Sequence, residues 1–156
     1  METTLIIVKP DGVARRHIGH IISRLEDKGL QIAGMKLTEI SKELAEKHYE
    51  EHKERPFYAS LLNFITRGPS VVLAVRGIAA VSICRKLIGA TFGSDAEAGT
   101  IRGDYGVSRA YNLIHGSDSV ESAKRELELY FSAGEIIEAK PSDFDWTYDV
   151  SSGTPE

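Results

Sequence analysis

The chain has 156 residues, of which 42% are hydrophobic, with a formal net charge of -4 and one cysteine. That size and apolar fraction predict one domain with a real core. The acidic balance argues against a protein that holds nucleic acid by broad attraction, although a local basic pocket could still bind small anions, and the lone Cys84 excludes an internal disulfide or a thiolate zinc cluster, so a reducing cytoplasm is the expected compartment. The apolar run in METTLIIVKPDG is too short for a signal peptide or a membrane span and has no basic segment before it, so neither is expected. From Thr3 to Pro10 the residues are β-rich and stop at the breaker KPDG, which sets Lys9 at a strand end. Ile18, Ile21, Ile22 and Leu25 have helical spacing, Gly29 suits a C-cap, and LQIAGMKL reads as a second strand. Ser41 opens a polar helix predicted through Glu51, and Leu61, Leu62 and Ile65 predict a second short helix after Pro56. PSVVLAVRG is a third strand and IAAVSICRKLIG a helix ended by Gly89. From Ala90 to Tyr111 the pattern dissolves into a Gly- and Asp-rich loop, long enough to suggest function. NLIH predicts a fourth strand, and SDSVESAKRELELYF a helix with the stripe Val120, Ala123, Leu127 and Tyr130.

His115 therefore stands at a strand-to-helix junction, where it reads as a packed core residue, a metal ligand or a nucleophile. Gly116 removes bulk beside the imidazole, and the N-terminus of the next helix suits an anion. Glu126, on that helix, could turn back to orient the imidazole, with Ser117 as a link. Lys9, Arg55, Arg85 and Arg102 all fall at element ends or in loops, where four cations could converge on a polyphosphate. Neither a G-x-x-x-x-G-K-[ST] loop nor a G-x-G-x-x-G turn is present, so phosphates would have to be held by side chains. HYEEH matches a zinc pattern in which His48 and His52 bind the metal and Glu51 acts as base, but it lies in a charged stretch that reads as a solvated helix face. Phe57 and Tyr58 are either core aromatics or a stacking platform for a base.

Taken together, NLIHGSDS, TIRGDYG, KPDGV and HYEEHKERPFY resemble the nucleoside diphosphate kinase family, in order and without a gap from about Thr3 to Tyr148. The resemblance implies a ferredoxin-like βαββαβ domain over residues 1–149, a four-stranded antiparallel sheet with helices packed on it and its first and fourth strands neighbours, followed by a short mobile tail over 150–156. It implies transfer of the γ-phosphate of a nucleoside triphosphate, mainly ATP, to nucleoside diphosphates by a ping-pong mechanism through phosphohistidine at His115. Lys9, Arg85, Thr91 and Arg102 would hold the phosphates, with magnesium bridging them and no metal site made by the protein alone. Asn112 would bond the sugar hydroxyl, Phe57 would stack on the base, Tyr49 would lie beside Lys9 and His115, and Ser117 with Glu126 would support the imidazole. A cytoplasmic homo-oligomer is implied, hexamer favoured over tetramer, with no membrane and no specific nucleic acid as partners. Two places depart from the family pattern: Thr91-Phe92-Gly93 stands where TNP is common, and Arg109-Ala110-Tyr111-Asn112 where an apolar residue precedes GRN. Arg109 would then face Phe57 across the base slot, held by Tyr111. The competing classes are a zinc hydrolase on His48, Glu51 and His52, and a non-catalytic nucleotide-binding module on the same fold. With no local shift legible, His115 is expected to titrate in the ordinary range of about 6 to 7.

Overall fold

In the computed structural model, which describes all 156 residues, strand β1 covers Glu2–Val8. A short helix α1 over Pro10–Ala14 follows where the sequence predicts only a turn. Proline explains it, because its φ is already helical and its missing N–H is one that a first turn leaves unpaired. Helix α2 (Ile18–Asp27) and strand β2 (Gln31–Glu39) come next. Helix α3 (Lys42–His48) is capped by Ser41, whose Oγ accepts from Leu44 N. It ends at His48, short of the predicted Glu51, because Tyr49 leaves the helical conformation and one 3-10 turn (Glu50–His52) takes over. Helix α4 (Tyr58–Ile65), strand β3 (Pro69–Gly77) and helix α5 (Ala80–Ile88) match their predicted places. The long loop contains helix α6 (Ile101–Tyr105), capped by Thr100 Oγ1 on Gly103 N. Strand β4 (Ile114–Gly116), helix α7 (Val120–Tyr130) and the single turn α8 (Phe144–Thr147) complete the chain.

The sheet order is β2-β3-β1-β4. Every pairing is antiparallel, which is the ferredoxin-like arrangement with α3 and α4 inserted between β2 and β3. As the resemblance implies, β1 and β4 are neighbours, and Ile7 lies opposite His115. Side chains alternate across a strand, so β1 feeds two cores. Ile6 and Val8 join Leu73 and Val75 under Ile21, Leu25, Cys84 and Ile88 from α2 and α5. Leu5 and Ile7 join Val72 and Ala74 under Ala45, Ile65, Leu127 and Tyr130 from α3, α4 and α7. Burial on both faces is why LIIV and VVLAV read as unbroken apolar runs. Strand β2, at an edge, instead alternates and leaves Met35 and Leu37 exposed. No helix is long and apolar enough to cross a membrane.

Candidate active site

The site begins where β1 ends. Lys9 N donates to Leu113 O at 2.8 Å, and Asp11 Oδ2 accepts from Leu113 N at 3.0 Å. Leu113 between them has φ of 68°, a left-handed conformation that costs an ordinary L-residue roughly 1–2 kcal/mol. The buried leucine side chain and the Asp11 bond hold it there. This turn aims Asn112 back at β1, so Lys9 Nζ donates to Asn112 Oδ1 at 2.8 Å, while Asn112 Nδ2 donates to Thr91 O at 2.8 Å. Lys9 is buried, and that desolvation, with the Arg102 charge nearby, brings its ammonium down to about 8 despite Asp11. Arg102 is buried too, and donates to the carbonyls of Asn112, Gly89, Ala90 and Ile114. It thereby ties the end of α5 to β4. Arg85 donates to Gly116 O at 3.4 Å.

Immediately after this turn, β4 directs His115 towards α3 and α7. His115 Nε2 lies 2.9 Å from Glu126 Oε2, and Ser117 Oγ donates to the same oxygen at 2.5 Å. Burial alone would raise Glu126, but its bonds to His115, His48 and Ser117 outweigh that and hold the carboxyl well below the usual range. The ionised carboxylate can only accept, so Nε2 carries the imidazole proton and Nδ1 keeps a lone pair with no protein partner. Burial is also the main influence on His115 and brings it down to about 4, against the opposing pull of Glu126. This corrects the expectation of an ordinary histidine range. Tyr49 packs edge-on to His115 with ring centroids 6.4 Å apart, and burial pushes its hydroxyl well above the usual range.

A cavity of about 650 Å³ opens over these groups. Lys9, Arg85, Arg102 and His115 line one part of it, and Phe57, Phe64, Phe92 and Tyr111 line another. The predicted Tyr49, Thr91, Asn112 and Glu126 also border it, and Ser117 stands behind Glu126. Arg55 does not converge with the other cations: it is exposed and outside the cavity, whereas Arg109 and Arg125 are inside. The zinc pattern also fails, since His48 is buried while Glu51 and His52 are exposed on the 3-10 turn. Nor is the stretch around them a solvated helix face, because Ala45, His48 and Tyr49 pack inward. His48, read from the sequence only as a zinc ligand, instead packs against His115. Its Nδ1 lies 2.6 Å from Tyr130 Oη, its ring stacks on Tyr49 at 4.3 Å, and its edge meets His115 at 4.6 Å. The helical spacing of Leu44, Ala45, His48 and Tyr49 was the available signal.

Gly116 needs a different explanation from the expected one. A Cβ there would sit 2.6 Å from Ile88 Cδ1 and 3.2 Å from Ile6 Cδ1, on the sheet face away from the imidazole. The glycine lets α5 approach the sheet. Tyr111 does not hold Arg109 either: it stacks on Phe64 at 4.7 Å and accepts from Arg67 Nη1 at 3.3 Å.

Comparison with known proteins adds an independent line. The family model described as nucleoside diphosphate kinase matches residues 2–136. The nucleoside diphosphate kinase of Pyrococcus furiosus is 55% identical over 152 residues, covering 95% of this chain and 93% of that protein. That of Staphylococcus epidermidis is 51% identical over 149 residues, covering 96% and 100%. Among solved structures, a halophilic nucleoside diphosphate kinase from Halobacterium salinarum in complex with CDP superposes with a TM-score of 0.93 at 45% identity, covering 95% of this chain and 99% of that one. A family protein from Babesia bovis gives 0.91 at 41% identity, covering 95% and 100%. Since similarity of this depth runs through nearly the whole chain and spans the cavity and its bordering strands, the chain belongs to the nucleoside diphosphate kinase family and is a phosphotransferase that acts on nucleotides.

Proposed function

We propose that the enzyme works by a ping-pong mechanism in which His115 Nδ1 carries the phosphoryl group. The observation that supports this most directly is the division of labour on one imidazole: Nε2 is bound to the Glu126 carboxylate, and Nδ1 is bare in a cavity lined with cations. In the first half-reaction the Nδ1 lone pair forms a bond to the γ-phosphorus of a nucleoside triphosphate, mainly ATP. The bond from that phosphorus to the bridging oxygen breaks, and the diphosphate leaves with those electrons. Nε2–H stays on Glu126, whose negative charge offsets the positive charge growing on the ring. In the second half-reaction a terminal oxygen of another diphosphate attacks the same phosphorus and Nδ1 recovers its lone pair. One site can serve both nucleotides in turn because they differ by one phosphoryl group.

Lys9, Arg85 and Arg102 supply positive charge near the phosphates and Thr91 a hydroxyl. Asn112, already fixing Lys9, has a second amide hydrogen for the sugar hydroxyl, and Phe57 offers a half-exposed ring for the base. Ser117 and Glu126 set the imidazole, with Tyr49 packed beside it. A divalent cation fits best as one carried by the nucleotide. The trio of metal-capable groups within reach of one another is His48, His115 and Glu126, and its two imidazoles suit zinc rather than a hard cation. The other carboxylates at the cavity, Asp118 and Glu51, are exposed. Magnesium held by the phosphates would offset their charge, with Asp118 near enough to the cavity to bond its waters. The exposed Met35 and Leu37 on edge strand β2 support self-association; the hexamer and the cytoplasm are what the family resemblance implies, and a light-scattering mass tests the number.

The decisive experiment is incubation with γ-labelled ATP. Acid-labile, alkali-stable label should appear on the protein, chase onto any added nucleoside diphosphate, and vanish together with transfer in His115→Ala. Normal turnover in that variant would end the phosphohistidine reading.

A further inference from the structure

Three side chains around the imidazole are metal donors, and one of them is unsatisfied. His48 is 3% exposed, yet its Nε2 has no hydrogen-bond partner of good geometry, Glu126 Oε1 standing 3.4 Å from it. His115 Nε2 meets the other oxygen, Glu126 Oε2, at 2.9 Å. One donor atom from each of His48, His115 and Glu126 lies within 4.8 Å of the other two. The ligands of a tetrahedral zinc ion stand about 3.3 Å apart, so small rotations of these side chains close them round one ion. Two imidazoles and a carboxylate with a fourth position open are a set that zinc accepts and magnesium does not. The open position faces the cavity, which all three residues border. Outer partners that orient such ligands are already in place: His48 Nδ1 lies 2.6 Å from Tyr130 Oη, and Ser117 Oγ donates to the Glu126 carboxylate.

We propose that His48, His115 and Glu126 form an inhibitory zinc site, filled in competition with phosphoryl transfer. The inhibition rests on the phosphohistidine reading, whereas the site itself stands on the geometry. A metal on His115 Nε2 uses that nitrogen's lone pair, so the ring proton that Nε2 gives to Glu126 moves to Nδ1. Nδ1 is the atom that would attack phosphorus, and once protonated it has no lone pair to do so. His48 shifts in the same sense, with Nε2 on the metal and Nδ1–H donating to Tyr130 Oη. Neither ring loses a proton, so the ion brings its full charge against one carboxylate. Lys9 and Arg102 line the same cavity, and Arg125 Nη2 is 3.9 Å from Glu126 Oε1. Their positive charges oppose the ion. The site therefore fills when free zinc rises and empties when it falls, as a reversible inhibitor requires. Its ligands beyond His48 come from β4 and α7 rather than from the HYEEH turn.

The test uses the full chain with Zn2+ or Co2+ as the only added metal. Co2+ should give the intense visible band of a four-coordinate ion, abolished by Zn2+ and unmoved by Mg2+. Equilibrium dialysis against Zn2+ measures affinity in the parent and the variants. His48→Gln should weaken binding by more than about a hundredfold, the upper end of what loss of an outer partner costs, and Tyr130→Phe by about tenfold. His52→Ala and the double variant His17→Ala/His20→Ala should leave the band in place, and circular dichroism checks that each variant is folded. Should His48→Gln not fold, Tyr130→Phe and Glu126→Gln carry the comparison. With γ-labelled ATP, excess Mg2+ and free Zn2+ set by a chelating buffer, labelling of the parent should fall by half near the Zn2+ dissociation constant and recover on chelation. In His48→Gln the same Zn2+ should leave labelling at that variant's own metal-free rate. A six-coordinate Co2+ spectrum, a band that survives His48→Gln or is lost in His52→Ala, or labelling that persists at saturating Zn2+ would each overturn the proposal. Absence of label from the metal-free parent would instead bring down the transfer reading, and the Co2+ spectrum would still decide the site.

Discussion

Replacing Glu126 with glutamine removes one negative charge from the imidazole cradle and little else. The amide oxygen can still accept from His115 Nε2 and Ser117 Oγ, which now meet the carboxylate at 2.9 and 2.5 Å, while the amide nitrogen faces His48 Nε2, now 3.4 Å from the other oxygen, and His48 must take the tautomer whose Nδ1–H donates to Tyr130 Oη. The His115 tautomer is thus preserved and the charge assistance is lost. A hydrogen bond to a charged group contributes about 1.5–3 kcal/mol against about 1 kcal/mol for a neutral one. The His115 bond is the one that strengthens as the ring gains positive charge, so its loss raises the barrier by about 1–2 kcal/mol, or about 5- to 30-fold in rate. Single-turnover formation of labelled phosphoenzyme is the appropriate assay, with urea unfolding to check that the variant is folded and nucleotide binding to check that the cavity is unchanged. The acid limb of the rate should also move to lower pH, because Glu126 is what pulls the His115 value upward against burial. A loss as complete as that of His115→Ala would make Glu126 indispensable rather than supporting. A change of less than about twofold would mean that its charge takes no part.

Since burial brings His115 to about 4, its lone pair is still available at pH 5. Phosphoenzyme formation should stay flat from pH 7 to about pH 5 and decline towards pH 4, and a fall centred between 6 and 7 would contradict the burial argument. The same shift affects folding: between the unfolded value near 6.5 and about 4 the unfolded chain binds a proton that the folded ring refuses. Stability should therefore decrease as pH falls through that window, and the dependence should flatten in His115→Ala when followed by urea midpoints. Gly116→Ala should destabilise the protein by about 1–3 kcal/mol, because the new Cβ meets the buried Ile88 and Ile6 side chains. Denaturant unfolding checks this, and an unaffected midpoint would mean that α5 has room to move.

What could be read from the sequence and what could not divide along a physical line. The two buried strands announce themselves as apolar runs, Gly89 ends α5, and the cradle lies on one short stretch, with His115, Ser117 and Glu126 spanning a strand end and the next helix. Local spacing was sufficient for these. Pairings between distant residues leave no local trace: Asp11 meets Leu113 across 102 positions, and nothing in NLIH signals that its leucine is left-handed. Helices α6 and α8 are too short to develop a period. His48 was misread because charged neighbours hide an inward stripe, and burial set the His115 shift through walls contributed by remote elements. Arg109 found Phe92 and Asp95 rather than Tyr111 because the intervening loops, which carry no periodicity, decide where it lies.

The central position of β1 has a consequence for synthesis of the chain. This strand is among the first residues made, yet its two partners come from Pro69–Gly77 and Ile114–Gly116. Lys9 waits for an asparagine 103 residues later. A nascent chain that has reached only Tyr105 holds β1 with its second edge bare, and bare edges are templates for pairing with other chains. Contacts of such sequence separation also close slowly, since loop entropy must be overcome before they give any stabilisation. The dependence of the nascent chain on chaperones should consequently be greatest in the interval between emergence of β3 and emergence of β4.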